Sequence, residues 1–159
     1  MKFKSITSIF AVLAMVAGVV AATLLGNLGA VAVSADSRHS HELHVTKECS
    51  QDTGQAGSFC TITSSSLAAI AVGSKVFYDQ AVGTPSGMLD SNVVLVAGTG
   101  DWAVGRCTLD LGTGLGVCSF SDGTGPFAGF HARVDVSHLG GPNFAWNGTY
   151  SFSPQANRD

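Results

Sequence analysis

Three groups of side chains in this sequence have types and spacings that could do chemistry: four cysteines, a set of charged residues on two alternating segments, and three histidines close together. The cysteines are Cys49, Cys60, Cys107 and Cys118, and each pair is separated by 11 residues. No C-x-x-C is present, so a metal site is disfavoured and disulfides are expected; four cysteines admit three connectivities. The equal spacings favour Cys49–Cys60 with Cys107–Cys118. Each bridge would contribute roughly 2–4 kcal/mol by constraining the unfolded chain, so stapling alone accounts for them. With all four oxidised, no cysteine remains as a nucleophile, and no Ser-His-Asp order is usable.

The charged set is Arg106 and Asp110 on one segment and His131, Arg133 and Asp135 on another. Pointing into a pocket, they would place an acid, a base and a cation together, with pKa values open to shifting. Pointing outward, they would form surface ion pairs. The opposite face of both segments is apolar and core-like, which favours the outward reading. Arg106, His131, Arg133 and Asp135 are the catalytic candidates, with no role assigned to any of them. The histidines are His39, His41 and His44. His41-Glu42-Leu43-His44-Val45 falls one residue short of H-E-x-x-H, because Val45 stands where the second histidine would be. No metal and no cofactor is expected.

Composition bounds the rest. The chain has 159 residues. Lys2 and Lys4 precede a run from Ile9 to Val33 that is almost entirely small and apolar, broken by Thr23 and Asn27. Val33-Ser34-Ala35 fits the small-x-small pattern of a cleaved secretory signal, predicting a leader over residues 1–35. An uncleaved membrane anchor is the other reading of that run. Either way the globular part lies outside the cytoplasm. All 11 acids but only six basic residues follow residue 35, a balance of −5. That excludes nucleic acid and, for the mature form, an anionic membrane as partner, since both need clustered Lys and Arg. Abundant Gly, Ser and Thr with few charges suits short strands and tight turns.

The elements that must position these residues read as strands. In residues 41–46, His41, Leu43 and Val45 share one face and Glu42, His44 and Thr46 the other. Residues 59–65, 75–80 and 92–97 follow as strands. Residues 67–72 (LAAIAV) are apolar but too short to assign, and 81–89 is a loop. Residues 102–111 alternate well, and Gly112-Thr113-Gly114 supplies positive-φ residues for a hairpin. If Gly112 and Thr113 form the loop, counting back along both arms puts Cys107 directly opposite Cys118. That separation suits a disulfide. Asp122-Gly123-Thr124-Gly125 is the next turn. A phosphate cradle would need a helix after it, but residues 127–136 alternate with period two, so nucleotide binding is rejected. Phe130, Ala132, Val134 and Val136 face one way; Phe127, His131, Arg133 and Asp135 face the other. Residues 144–152 close the fold and contain the sequon Asn147-Gly148-Thr149. About eight regularly spaced strands without an amphipathic helix mean an all-β barrel or sandwich, and a barrel removes the exposed edges. The domain layout is a leader (1–35), an N-terminal segment with the first strand and disulfide loop (36–58), a barrel core (59–153) and a tail (154–159).

Gly123-Thr124-Gly125-Pro126-Phe127-Ala128-Gly129, followed by an alternating strand, resembles the corresponding turn and strand of the allene oxide cyclase and dirigent superfamily. Val104-Gly105-Arg106 ahead of a Gly-turn hairpin is similar to the V-G-R stretch of dirigent proteins. Thr149-Tyr150-Ser151-Phe152 is similar to the last barrel strand of the cyclases. The likeness covers residues 74–153. It implies an eight-stranded antiparallel β-barrel of the allene oxide cyclase/dirigent type, often trimeric, with a ligand-sized lumen. The chain departs from the family where Cys118-Ser119-Phe120-Ser121 runs straight into Asp122-Gly123, since family members carry a further strand there. The N-terminal strands would then supply the missing staves, or the barrel is rearranged. No active-site residue transfers, because positions outside these motifs do not match one by one.

Three functions fit. The first is a secreted, disulfide-stapled barrel that binds a small hydrophobic ligand or a protein partner without turnover. The second is cyclase or dirigent-type activity on an unsaturated or phenolic substrate in the lumen. The third is a structural cell-surface module, such as an immunoglobulin-like sandwich. Pairing of the first strand with the last would separate barrel from sandwich.

Overall fold

Period-two alternation of apolar and polar residues builds almost the whole molecule. A computed structural model describes residues 39–83 and 87–153; the expected leader (1–35) and tail (154–159) lie outside the described residues. Eight strands follow one another: β1 (His41–Glu48), β2 (Phe59–Ser65), β3 (Lys75–Tyr78), β4 (Met88–Gly98), β5 (Asp101–Asp110), β6 (Leu115–Gly123), β7 (Phe130–Gly140) and β8 (Asn143–Phe152). Each pairs antiparallel with its sequence neighbour, and β1 pairs with β8, so the sheet closes as a barrel. Closure decides against the sandwich. The N-terminal strands β1 to β3 are part of the barrel wall.

On every strand one parity faces inward. Leu43 and Val45 on β1, Leu89, Val93 and Leu95 on β4, and Phe130, Ala132, Val134 and Val136 on β7 are all buried. Fully burying such a side chain contributes about 1.5–3 kcal/mol, so the strand registers are strongly specified. Aromatic rings fill the middle. Phe120 lies 5.4 Å from Trp146 and 6.2 Å from Phe130, centroid to centroid. Gly105 opposes Phe120, and a Cβ there would fall 2.8 Å from the ring and 2.3 Å from the Ser119 carbonyl oxygen. Glycine at this position is what lets Phe120 reach the core beside a bulge in the β5–β6 ladder.

The hairpin expected from the cysteine spacing is present. Cys107 opposes Cys118, and the two are bonded, with Cα atoms 4.1 Å apart. Cys49 and Cys60 form the second bridge. The turn itself differs from the expected two-residue loop. Residues 111–114 make a four-residue turn, closed by Gly114 N–H donating to the Asp110 carbonyl at 2.7 Å. Of the glycines in it, Gly114 takes a positive φ of 69° and Gly112 does not. Asp110 Oδ1 accepts from the Gly112 N–H at 2.8 Å, which fixes the turn without demanding a left-handed residue at 112.

Other boundaries moved for local reasons. Phe127 was expected on the outer face of a strand; it lies instead in a short 3-10 turn, Gly125–Phe127, and is buried 5.5 Å from the Phe130 ring. Pro126 is the second residue of that turn, and the strand starts after it at Phe130. Residues 67–72 form turns, with Ile70 buried as a plug. β4 begins at Met88, four residues before the apolar run, because Leu89 and Ser91 continue its inward parity.

Replacing Cys107 and Cys118 together with Ala should lower unfolding stability by roughly 3 kcal/mol, read from the urea midpoint. Peptide mapping without reductant should join the peptides containing Cys107 and Cys118. A Cys49–Cys118 link would overturn the register.

Candidate functional site

The inward parity of β1 runs Leu43, Val45, Lys47. The third member is a lysine with only 3% of its surface exposed. Its register partner on β8 is Phe144 and on β2 is Ile62, so the side chain enters the barrel near the end where the β1–β2, β3–β4 and β7–β8 connections lie. Rings enclose it. Nζ sits 4.6 Å from the centroid of Trp146, 5.2 Å from that of Tyr78 and 5.9 Å from that of Phe144. Nζ donates a hydrogen bond to the Tyr78 hydroxyl. Among the described residues no carboxylate forms an ion pair with it.

Three sequence-distant pieces build this box. β1 supplies the lysine, the end of β3 supplies Tyr78, and β8 supplies Phe144 and Trp146. The Cys49–Cys60 bridge stands beside them, with Cys60 Sγ 3.8 Å from the Tyr78 hydroxyl. The disulfide loop, residues 50–58, is tied to the same end. Gly57 N–H donates to the Tyr78 carbonyl at 2.6 Å, and Tyr78 N–H donates to the Ser58 carbonyl at 3.0 Å. Inside the loop Asp52 Oδ1 accepts from Ser58 Oγ at 2.6 Å and from Gly54 N–H at 2.9 Å.

The electrostatics follow from burial. Desolvation pulls the Lys47 amine from 10.5 down to about 7, opposed to a smaller extent by the Asp52 carboxylate. The same burial pushes the Tyr78 phenol up, and Asp52 adds to it. Near neutral pH the amine is therefore poised between its charged and neutral forms, beside a phenol that keeps its proton. His138 stacks on Phe144 at 5.0 Å, the next titratable group outward. The Trp146 indole N–H is buried too and, among the described residues, has no hydrogen-bond partner. Such a site can accept or donate hydrogen bonds in a dry setting, attract a π-system, or attack a carbonyl carbon through the amine.

The residues singled out from sequence lie elsewhere. Arg106 is exposed on the outer wall, where Nη2 pairs with Asp90 Oδ2 at 2.7 Å and Nη1 donates to Asn92 Oδ1 at 3.2 Å. Its expected neighbour Asp110 caps the hairpin instead. His131, Arg133 and Asp135 occupy the outward parity of β7, opposite the buried Ala132 and Val134. Arg106 does border an open cleft of about 500 Å³ on the outer wall, with Asp79, Asn92, Ser119 and Ser121 along it. His41 and His44 sit on a strand, not a helix. The hydrogen bond that His44 Nδ1–H donates to Asn147 Oδ1 at 2.9 Å, together with the neighbouring Glu42, raises the His44 pKa. No cluster of His, Cys, Asp or Glu among the described residues is arranged to hold a metal ion. Sequence reasoning missed Lys47. The signal for it was parity alone: it continues the Leu43, Val45 face.

Comparison with known proteins adds no assignment: no family model, no curated protein and no solved structure matches the chain.

Lys47 makes stability depend on pH in a defined direction. Between about 7 and 10.5 the unfolded chain holds a proton at this amine that the folded chain lacks, so stability rises with pH through that window. The folded state pays the full penalty below it. Lys47→Met should abolish that slope and stabilise the protein by a few kcal/mol at pH 6 relative to its effect at pH 9, read from urea midpoints. An unchanged slope in the variant would place the titration elsewhere.

Proposed function

We propose that the chain is an extracytoplasmic barrel of the allene oxide cyclase/dirigent type that binds a small hydrophobic molecule without turnover. The observation that carries this reading is the box around Lys47: an amine, a phenol and an unsatisfied indole N–H set among rings inside an apolar wall. Ligand sites are mostly apolar with a few placed polar groups, and this end of the barrel has that composition. The two disulfides suit an oxidising compartment. Eight antiparallel strands, and a Gly-Thr-Gly-Pro-Phe turn feeding β7, support the family type.

Binding without turnover is favoured over cyclase or dirigent-type activity by where the charges sit. Arg106, His131, Arg133 and Asp135 belong to the outer faces of β5 and β7, so they offer no acid–base pair to a molecule held inside. Two backbone hydrogen bonds to Tyr78 tie the 50–58 loop to this end of the barrel.

The two tryptophans make the test direct. Trp102 is 39% exposed, and Trp146 is buried in the box. In a Trp102→Phe protein, titration with decanol should change Trp146 emission saturably and raise the melting temperature. Emission and melting temperature that both stay unmoved up to the solubility limit would contradict binding at this site.

A further inference from the structure

The ligand that this site fits best carries a carbonyl. We infer that Lys47 condenses reversibly with the aldehyde of an apolar molecule, holding it as an imine inside the barrel end. This inference rests on the binding reading above and adds the chemical class of the ligand.

The geometry argues for it at each step. An amine attacks a carbonyl only through its free lone pair, and a lysine in an ion pair keeps that pair protonated. Lys47 has no carboxylate partner among the described residues, and its neighbours are Trp146, Tyr78 and Phe144. Asp52, on the loop above, and Tyr78 are the titratable groups that act on it. Condensation forms a C–N bond and breaks the carbonyl C–O bond. The amine loses two protons, the former carbonyl oxygen leaves with them as water, and no oxidant or reductant is consumed. The Tyr78 hydroxyl already shares a hydrogen bond with Nζ, so it can pass a proton to the departing oxygen. The imine removes a buried amine that is costly to charge and leaves an alkyl tail among aromatic rings.

Lys75 provides the internal control. It is an exposed lysine whose Nζ sits over the Phe59 ring at 4.3 Å, on the outside of the wall. An aromatic neighbour alone is therefore present at both lysines, and enclosure is what differs.

The test is reductive trapping on the full chain. Decanal is added with cyanoborohydride at neutral pH, and the decylated residues are located by peptide mass mapping. Lys47 should carry the alkyl group in preference to Lys75 by on the order of tenfold or more, since an unprotonated amine is the reactive form. Labelling of Lys47 should reach half its maximal rate near pH 7. A Lys47→Met protein should lose that label. Labelling of Lys75 at an equal or higher rate, with Lys47 unmodified, overturns the imine. If decanol still moves Trp146 in that case, ligand binding stands and only the carbonyl chemistry falls. If decanol also has no effect, both fall. Should Lys47→Met fail to fold, mapping and the pH profile on the natural sequence decide the matter.

Discussion

The pairing of β1 with β8 is the constraint from which the rest follows. It closes the sheet, so no strand leaves an unpaired edge. It also sets the register in which Val45 opposes Trp146 and Lys47 opposes Phe144. Side chains alternate along a strand, so a slip of one residue would turn Leu43 and Val45 out to water. The apolar pair therefore dictates where the lysine goes. Lys47 is drawn inside because two residues before it gain more from burial than one amine loses.

That loss is real and local. A charged amine in a dry interior is expensive unless paired, and here the pairing is with a phenol and three ring faces instead of a carboxylate. The protein accommodates it by favouring the neutral form. The Cys49–Cys60 bridge and the 50–58 loop hold the same end together, so the costly group sits beside a cross-linked part of the wall.

Much of the wall was legible in the sequence because period two is a local signal. The alternation in β5 and β7, together with equal cysteine spacings, was enough to pair Cys107 with Cys118 and to turn Arg106, His131, Arg133 and Asp135 outward. The site was not legible, because its parts meet only on closure. Lys47, Tyr78 and Trp146 come from β1, β3 and β8, and nothing local marks a lysine near a strand end as buried. Residue type even argued the other way, since lysines are rarely inside. Phe127 failed differently. It shares its parity with His131 on paper, but the 3-10 turn Gly125–Phe127 breaks the count before the strand begins. The hairpin turn shows a third case: the register was right although the turn was longer, because Gly114 and Asp110 satisfy the same ends by another route.

The central claim is that Lys47 is enclosed in an aromatic box and that this burial brings its amine's pKa down toward neutral. Carbon-13 NMR of the lysine ε-methylene, assigned by comparison with Lys47→Met and followed from pH 5 to 11, measures it directly. The account predicts a Lys47 resonance that titrates with a midpoint of about 7. A midpoint at the ordinary lysine value of 10.5 would contradict it, and would return Lys47 to the solvated exterior.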